Sequence, residues 1–457
     1  MQSITISLEK ALALLENKQY ATFRAILSAT EPADIAEFLS ELEPNRFPVV
    51  FRILPKDLAA CVFIEMEPEQ QRVLIDTFSD NELRAMLEEL FVDDTVDLIE
   101  EMPANVVDRI LRSSHPDTRR MINEILKYPE DRAGSIMTTE YVGLKRSMTV
   151  DQAFDIIRRV AIDKETIYTC YVTDEGKRLI GVVSAKTLLI SDKSAVIGDI
   201  MEDRVICART VDEKEEVSRL FEKYDLLALP VVDTEQRLVG IITVDDALDV
   251  IQEAAEEDFA KMAAITPSEK EYLRTSPFHL FASRVPWLIL MMLSSTFTGL
   301  IISSFESKLA GLLALTAFIP MLMGTGGNSG SQASVTVIRG LSLGELDFKD
   351  LGRVLLKELT VALLCGVTLA VVCVGKVLLV DQALLHTPGV GLMVALTVGL
   401  TLAATVVCSK LIGCALPILA KKLGFDPAVM AAPFITTLVD AISLIVYFAI
   451  ATALLGL

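Results

Sequence analysis

Residues 428–457 read AVMAAPFITTLVDAISLIVYFAIATALLGL, and this stretch sets the class of the fold. Asp440 is its only charged residue, and the rest is apolar, small or hydroxylated apart from Pro433. An apolar run of this length crosses about 30 Å of hydrocarbon. A carboxylate near the middle of a membrane span costs at least about 2.5 kcal/mol, so we expect Asp440 to face a pore or a partner. The alternative is a buried carboxylate that neighbouring helices hold by hydrogen bonds for structure alone.

Four further apolar segments precede this one after Pro277, which predicts an α-helical membrane domain with five transmembrane helices. The five segments are 285–304, 309–338, 354–380, 390–419 and 428–457. Basic residues cluster on one predicted side, which the distribution rule for membrane proteins assigns to the cytosol. They are Arg274, Arg284, Arg339, Lys349, Arg353, Lys357, Lys421 and Lys422. The pattern predicts a multi-pass protein of the cell membrane with a cytoplasmic N-terminus and an extracytoplasmic C-terminus.

The second apolar segment contains PMLMGTGGNSGSQ at residues 320–332, which predicts an interruption of the helix. Irregular backbone at membrane depth occurs only where protein or a water-filled cavity satisfies its polar groups. Freed carbonyls and the amide of Asn328 would then contact an ion or its hydration water. The alternative is that the glycines let membrane helices pack closely.

The charge is distributed unevenly along the chain. Residues 1–275 contain 32 basic and 54 acidic residues, a formal net charge of −22, whereas residues 276–457 contain ten and eight, a net charge of +2. An acidic region repels nucleic acid, which argues against a nucleic-acid partner. It suits a cation ligand, although a solvated acidic surface gives the same composition.

Several classes of chemistry lack their signatures. Seven cysteines without CxxC pairs and only three histidines argue against a soft metal site. The N-terminal segment lacks the basic and apolar regions of a signal peptide, which predicts that the acidic part stays in the cytosol. A phosphate-binding loop of the GxxxxGK[ST] type is absent, as is a nucleophile paired with a base. We therefore expect a protein that is not an enzyme and does not pump ions with ATP.

The acidic part begins with a repeat of period twelve. Apolar residues at this spacing precede proline, aspartate or serine signals for a new helix, and they are Leu42, Leu54, Met66, Phe78, Leu90 and Met102. Short helices that stop and restart in this way predict an all-α superhelical solenoid over residues 1–130.

A longer repeat covers residues 131–248. The sequences SIMT and RLIGVVS at 135–138 and 178–184 match DIME and RLVGIIT at 199–202 and 237–243. Each copy predicts an α+β unit with a small sheet, and the pattern resembles a tandem pair of cystathionine-β-synthase-type (CBS) domains. In such modules, residues placed like Thr243 and Asp246 bind ATP or another adenine nucleotide. The alternative is that Thr243 caps a helix, since the first copy lacks the aspartate.

Two acidic groups are candidate sites for a hard divalent cation, which takes oxygen ligands. The first group follows one predicted helix face at steps of three and four residues, with further carboxylates nearby. It comprises Asp246, Asp249, Glu253, Glu257, Glu256 and Asp258, preceded by Glu213 and Asp225. The second group lies in the predicted solenoid and comprises Asp93, Asp94, Asp97, Glu100 and Glu101. Ordinary surface charge is the alternative for each of them.

The order of these parts resembles the MgtE family of magnesium channels over essentially the whole chain. The stretches GTGGNSGSQ at 324–332 and PFITTLVDAISLIVYF at 433–448 carry the resemblance most specifically. It implies a solenoid over residues 1–130, CBS domains over 131–248, an acidic linking helix over 249–276 and a pore domain over 277–457. It also implies a homodimer in a lipid bilayer whose second and fifth spans line the pore.

The resemblance further implies the roles of individual residues. Asp440 coordinates hydrated Mg²⁺, with the carbonyl of Thr436 one turn earlier and with Gly327 and Asn328 nearby. Intracellular Mg²⁺ at the cytosolic carboxylates closes the channel through the linking helix, and Asp426 matches another acidic position of the family. Ala254 and Ser331 depart from the family pattern, which bears on the number of cytosolic metal sites and on the filter geometry.

Together these features predict a Mg²⁺-selective channel for passive uptake that intracellular Mg²⁺ gates. Two other hypotheses remain open at this point. One is a proton-coupled transporter in which Asp440 titrates, and the other is a membrane-anchored Mg²⁺ sensor that conducts nothing.

Overall fold

The computed structural model describes residues 13–15, 17–43, 46–161, 164–267, 272, 275–305, 313–430 and 432–456. The chain divides into two compact units, Met1–Gln252 and Glu253–Leu457, which are called the N-terminal unit and the C-terminal unit below.

The described part of the N-terminal unit contains a series of short helices ahead of its first strand. They are α1 (Tyr20–Leu27), α2 (Pro32–Ser40), α3 (Phe47–Phe51), α4 (Lys56–Ile64), α5 (Pro68–Thr77), α6 (Asp80–Leu87), α7 (Val92–Glu100), α8 (Ala104–Ser113) and α9 (Pro116–Ile125). Proline in the first turn starts several of them, because its fixed φ suits that position and its missing N–H is not needed there. Ser79 and Glu82 form a capping box at the start of α6.

Helices two apart in the sequence pack together, as α2 does with α4, α4 with α6 and α6 with α8. The apolar residues of the period-twelve pattern are buried, including Leu42, Met66 and Leu90. The repeat was therefore predicted correctly as a series of short stacked helices, while its superhelical course stays a prediction.

Two three-stranded sheets with the same topology follow. The first contains β1 (Gly143–Lys145), β2 (Thr169–Thr173) and β3 (Leu179–Ser184), and the second contains β4 (Ala208–Arg209), β5 (Ala228–Val232) and β6 (Leu238–Thr243). In each sheet the first pair is parallel, the second pair is antiparallel and the register shifts in the central strand. The helices are α10 (Val150–Val160), α11 (Ala185–Ile190), α12 (Ile197–Ile200) and α13 (Lys214–Tyr224). The internal repeat in the sequence is thus a repeat of structure.

Helix α14 (Val244–Met262) begins in the N-terminal unit and ends in the C-terminal unit. The predicted linking helix, 249–276, is helical only as far as Met262 among its described residues, because Ala264 takes a left-handed conformation that ends the helix.

Among its described residues, the C-terminal unit contains five long α-helices. They are α15 (Pro277–Ser304), α16 (Ile319–Ser342), α17 (Leu351–Lys376), α18 (Leu392–Lys422) and α19 (Ala432–Leu455). A π-helix (Val377–Leu384) extends α17, and 3-10 helices (Leu313–Phe318, Phe348–Asp350 and Pro427–Met430) precede α16, α17 and α19.

Four segments among the described residues are long and apolar enough to cross a membrane. They are Pro277–Ser304, Phe348–Leu384, Leu392–Lys422 and Pro427–Leu455. Helix α16 does not belong to this set, since its glycine, serine and threonine content lowers its hydropathy. A multi-pass membrane protein is therefore supported, and the fifth crossing stays a prediction.

The predicted interruption at residues 320–332 is wrong. Helix α16 runs continuously through the glycines, so the backbone groups of this stretch bond within the helix and no carbonyls are freed. The irregular backbone lies earlier, in the 3-10 helix Leu313–Phe318. The glycines serve close packing instead, which was the alternative considered for this stretch.

Candidate functional site

Asp440 lies in the ninth position of the 24-residue helix α19, with its side chain half-buried. No hydrogen-bond donor and no cation contacts its carboxylate in the part of the chain that the structure describes. The predicted alternative, a structural carboxylate held by neighbouring helices, needs such partners. A carboxylate in an apolar helix without them must find compensation outside this chain's own side chains.

Helix α19 presents Thr436, Val439 and Ser443 on the face that meets α16. A Cβ added to Gly327 would lie 3.0 Å from Cγ2 of Thr436, and one added to Gly326 would lie 2.9 Å from Oγ of Ser443. The glycines therefore let these side chains of α19 lie directly against the backbone of α16. Asp440 lies on α19 between Thr436 and Ser443, within one turn of each.

The other predicted members of this site lie on α16. Gly327 is buried against Thr436, whereas Asn328 is exposed on the surface of the single chain. The Thr436 hydroxyl donates to the carbonyl of Pro433 over 2.9 Å, so its hydroxyl is used inside the helix. The structure thus brings Gly327 and Thr436 into contact and places Asp440 one turn further along α19.

A second concentration of charge lies in the N-terminal unit, and we call it the acidic cluster. It comprises Asp93, Asp94 and Asp97 of α7, Asp245 and Asp246 at the start of α14, and Glu140 and Glu165 of the first CBS module. Burial and mutual repulsion raise the carboxyl pKa values of five of them. The pKa of Asp93 lies well above its usual range, that of Asp94 and of Asp246 is about 6, and that of Asp97 and of Glu165 is about 7.

Asp93 is the most buried member of the acidic cluster, with 7% of its surface exposed. Its Oδ1 atom and Oε2 of Glu165 are both buried without a hydrogen-bond partner in the described part of the chain. Unsatisfied buried oxygens of this kind are costly unless a proton or a cation joins them. Oxygen atoms are also the ligands that Mg²⁺ and Ca²⁺ prefer.

The carboxylates of the acidic cluster lie in one region, but they do not form a complete metal site among the described residues. Among the described residues, no three His, Cys, Asp or Glu side chains converge into a metal-binding arrangement. Part of the carboxylate capacity is used locally, since Asp246 accepts from the Thr243 hydroxyl over 2.6 Å and Glu140 accepts from the Thr138 hydroxyl over 2.5 Å. The donor set therefore fits a hard cation in chemistry, while its side chains remain apart.

Thr243 is the residue before α14, and Asp246 also accepts from its N–H over 3.4 Å. A carboxylate three residues into a helix that reaches back to the residue before it satisfies a free helix N–H group. The motif at residues 240–246 therefore has a structural function at the start of α14.

The remaining predicted carboxylates of the N-terminal unit are dispersed. Glu213 precedes α13 and Asp225 follows it, so about 18 Å of helix separates them. Glu213 lies 3.8 Å from Arg132, and Asp225 closes the helix in a left-handed conformation. Asp249 is exposed on α14. The structure does not bring Glu213 and Asp225 together within one chain.

Within the C-terminal unit, the end of α14 contacts the last residue of α16 and the loop before α19. Nζ of Lys261 lies 2.6 Å from a carboxylate oxygen of Glu257 and 2.6 Å from one of Asp426. Asp258 accepts a hydrogen bond from the Ser342 hydroxyl over 2.7 Å. Two predicted metal ligands, Glu257 and Asp426, therefore share an ammonium group, while Glu253 is exposed on the same helix.

Sequence reasoning missed several residues of these sites. The spacing of Glu257 and Lys261 is a readable signal for a helical ion pair, but nothing local indicates that Asp426 joins it. Glu140 and Glu165 lie in loops of the first CBS module, and only the packing of α7 on that module brings them near Asp93.

Three family models match the chain in the order of its parts. The MgtE intracellular N domain matches residues 30–131, the CBS domain matches 133–192 and 197–253, and MgtE, described as a divalent cation transporter, matches 319–450. These matches define the class of the protein as a membrane protein of the divalent cation transporters. Relatives over the full length identify the family.

The magnesium transporter MgtE of Thermus thermophilus is 38% identical over 458 residues, which cover 99% of each chain. The magnesium transporter MgtE of Bacillus subtilis is 34% identical, covering 97% of this chain and 96% of the relative. The chain belongs to the MgtE family.

Solved structures resemble the N-terminal half. The cytosolic domain of the Mg²⁺ channel MgtE in complex with ATP is 40% identical with a TM-score of 0.50, covering 52% of this chain and 99% of that one. The soluble part of a magnesium transporter is 31% identical with a TM-score of 0.51, covering 54% and 98%.

Proposed function

We propose that this protein is a Mg²⁺-selective channel that admits magnesium passively and that intracellular Mg²⁺ closes. The observation that carries the proposal is the half-buried carboxylate of Asp440, which has no partner among the described residues and lies on the helix that packs against the glycine face of α16. The names of the full-length relatives supply the ion.

Hydrated Mg²⁺ is the species that this arrangement suits. Mg²⁺ gives up its water slowly and is usually held by one or two carboxylates with several waters retained. Asp440 supplies one carboxylate per chain, and the Thr436 carbonyl, Gly327 and Asn328 supply polar contacts beside it. Two chains around a common axis would place a charge of −2 opposite the +2 of the ion, so we propose a homodimer with α16 and α19 lining the pore.

The membrane potential drives the ion without a coupled fuel. It supplies about 2.3 kcal/mol per charge for each 100 mV, and twice that for a divalent cation. The proposed topology has a cytosolic N-terminal unit, an extracytoplasmic C-terminus and α16 as one of five crossings. The burial of its glycine face among α18 and α19 supports α16 as a membrane helix.

The N-terminal unit, with its solenoid, is the proposed sensor. Cation binding to the acidic cluster removes repulsion that the metal-free protein carries, so it stabilises the state that brings the carboxylates together. Helix α14 runs from that unit into the C-terminal unit and is the proposed link to the pore. The cation sites proposed outside the pore comprise Asp93, Asp97, Glu213, Asp225, Asp246, Asp249, Glu253, Glu257, Asp258 and Asp426.

A nucleotide is a second proposed ligand of the N-terminal unit. The related cytosolic domain has been solved in complex with ATP, and we propose that Thr243 and Asp246, which match the CBS signature, contact the nucleotide. Their hydrogen bond to each other must rearrange for that role, which would couple nucleotide binding to the start of α14.

Flux into vesicles that contain the purified protein tests the function. We expect Asp440→Ala and Asp440→Asn to reduce Mg²⁺ uptake by about 100-fold, because nothing else in the described chain replaces the charge. Glu345→Gln, which removes an exposed carboxylate of the same unit, should conduct like wild type. Internal Mg²⁺ should inhibit uptake by the wild-type protein.

Two results would contradict the channel. Wild-type vesicles without Mg²⁺ flux would favour a sensor that conducts nothing. Uptake that follows an imposed proton gradient and is lost in Asp440→Asn across a pH series would favour a proton-coupled transporter.

A further inference from the structure

A pair of opposite charges lies inside the C-terminal unit, within two of its candidate membrane spans. Glu358 is on α17 and Lys410 is on α18, with 3.9 Å between Oε2 and Nζ. Their side chains are 15% and 7% exposed. Oε2 of Glu358 is buried and accepts no hydrogen bond in the described part of the chain.

Packing alone does not account for this pair. Two buried charges lose their hydration, and an apolar pair of similar volume commonly stabilises a protein equally well or better. Charged residues in membrane segments commonly pair with each other and mark functional regions. A charge pair differs from an apolar pair in that it favours one register of two helices over its neighbours.

Ser409 and Gly413, which lie near Lys410 on α18, show how α18 is placed against α16. A Cβ on Gly413 would overlap the carbonyl oxygen of Gly330 on α16, and a Cβ on Gly330 would lie 3.2 Å from the carbonyl oxygen of Ser409. Helices α16 and α18 therefore cross with their backbones in contact, one turn or less from Lys410.

The same glycine connects this crossing to the candidate pore. A Cβ on Gly330 would lie 2.9 Å from Cγ2 of Ile435 and 3.4 Å from Cγ2 of Val439, both on α19. Val439 is the residue before Asp440. Displacement of the α16–α18 crossing at Gly330 therefore also displaces the α16 surface against which the Asp440 segment packs, since close-packed interiors transmit strain.

We propose that Glu358 and Lys410 are positioning residues for ion binding. Their attraction fixes the position of α18 along α17. Because α16 packs against both α18 and α19 at Gly330, the position of α18 also affects the position of Asp440 on α19. The inference rests on the proposed transport of Mg²⁺, and it assigns to α17, which carries no proposed ion contact, a part in the affinity of the pore.

The test measures Mg²⁺ uptake into vesicles as a function of external Mg²⁺, together with the melting temperature of each variant. The variants are Lys410→Met, the double variant Glu358→Gln with Lys410→Met, and Lys410→Arg. Lys357→Met is the matched control, because it removes an exposed lysine adjacent to Glu358.

We expect Lys410→Met to lower the melting temperature, because it leaves Glu358 buried without a counter-charge. The double variant should restore the melting temperature. Both should raise the half-saturating Mg²⁺ concentration by about tenfold, since small displacements of a binding geometry commonly cost that much. Lys357→Met should stay within about twofold of wild type, and Lys410→Arg, which keeps the charge on a larger planar group, should fall between wild type and Lys410→Met.

A double variant with the half-saturating concentration of wild type would overturn the inference, because pairing would then matter only for stability. Lys410→Arg with the defect of Lys410→Met would also overturn it. Absence of uptake by wild type would instead contradict the proposed function.

Discussion

Asp440 and Asp93 are both carboxylates in places where a charge is costly, but their surroundings differ. Asp440 stands on an apolar helix beside glycines, with no charged neighbour in the described chain. Asp93 is buried among other carboxylates that raise its pKa further. The surroundings of Asp440 suit transient binding of a permeating ion, and those of Asp93 suit a bound cation that bridges carboxylates from different elements.

The glycine crossing of α16 and α18 leads to a prediction about single methyl groups. We expect Gly413→Ala to destabilise the C-terminal unit by about 1–3 kcal/mol, because the new Cβ meets the backbone of Gly330 rather than a flexible side chain. Thermal unfolding of the detergent-solubilised protein measures the change.

Gly352→Ala on α17 is the matched control, since a Cβ there meets nothing within 4 Å. It should leave stability unchanged or raise it by up to about 1 kcal/mol through helix propensity. Equal melting temperatures for the two alanine variants would show that the backbone crossing tolerates a wider separation than the structure shows.

At the scale of elements, α16 shows how a sequence pattern can have two physical meanings. Four glycines with Asn328 predict an interrupted helix, because glycine weakens helices in water. Inside a helical bundle, neighbouring helices cover the exposed backbone and small residues allow close contact, so the helix persists. The packing of neighbouring helices cannot be inferred from the local composition, which is why the prediction of an interruption was wrong.

The end of α14 is the second element with a testable property. Lys261 pairs with both Glu257 and Asp426, so Lys261→Met leaves two carboxylates near each other without a counter-charge. We expect amide hydrogen exchange of residues 258–262 to become about fivefold faster, in keeping with the loss of about 1 kcal/mol for a partly exposed ion pair. Lys357→Met should leave this exchange unchanged.

Added Mg²⁺ should restore protection in the Lys261→Met variant, because a divalent cation can take the place of the ammonium between the two carboxylates. Exchange that is as slow in the variant as in wild type without Mg²⁺ would refute the role of Lys261 in holding this helix end.

At the scale of the molecule, the acidic cluster makes stability depend on pH. The pKa values of Asp94 and Asp246 are raised to about 6 and those of Asp97 and Glu165 to about 7. A carboxyl pKa that is higher in the folded state favours folding at low pH, and the benefit is lost as the pH rises through the folded-state value. Without divalent cations, stability should therefore fall between about pH 4 and pH 7.

We expect the N-terminal unit of the full chain, in a chelator, to melt about 5 °C lower at pH 8 than at pH 5.5. Mg²⁺ should raise the melting temperature at pH 8 more than at pH 5.5, because protons and cations compete for the same oxygens. Asp93→Asn should reduce both differences, and Asp76→Asn, an exposed control, should change neither. A melting temperature that rises with pH in the chelator would contradict this account.

The sequence by itself determined what is local or periodic. Apolar length placed the four candidate membrane spans, the period of twelve placed the stacked short helices, and the internal repeat placed two sheets of equal topology. Asp440 could be selected because a lone charge in an apolar run has few inexpensive explanations.

Only the tertiary structure decided which distant residues meet. It joined Glu140 and Glu165 to Asp93, gave Lys261 its second carboxylate, and turned a predicted break in α16 into a packed glycine face. The physical reason is that burial, charge repulsion and backbone contact depend on neighbours far apart in the chain, whereas helix starts and apolar runs depend on neighbours a few residues away.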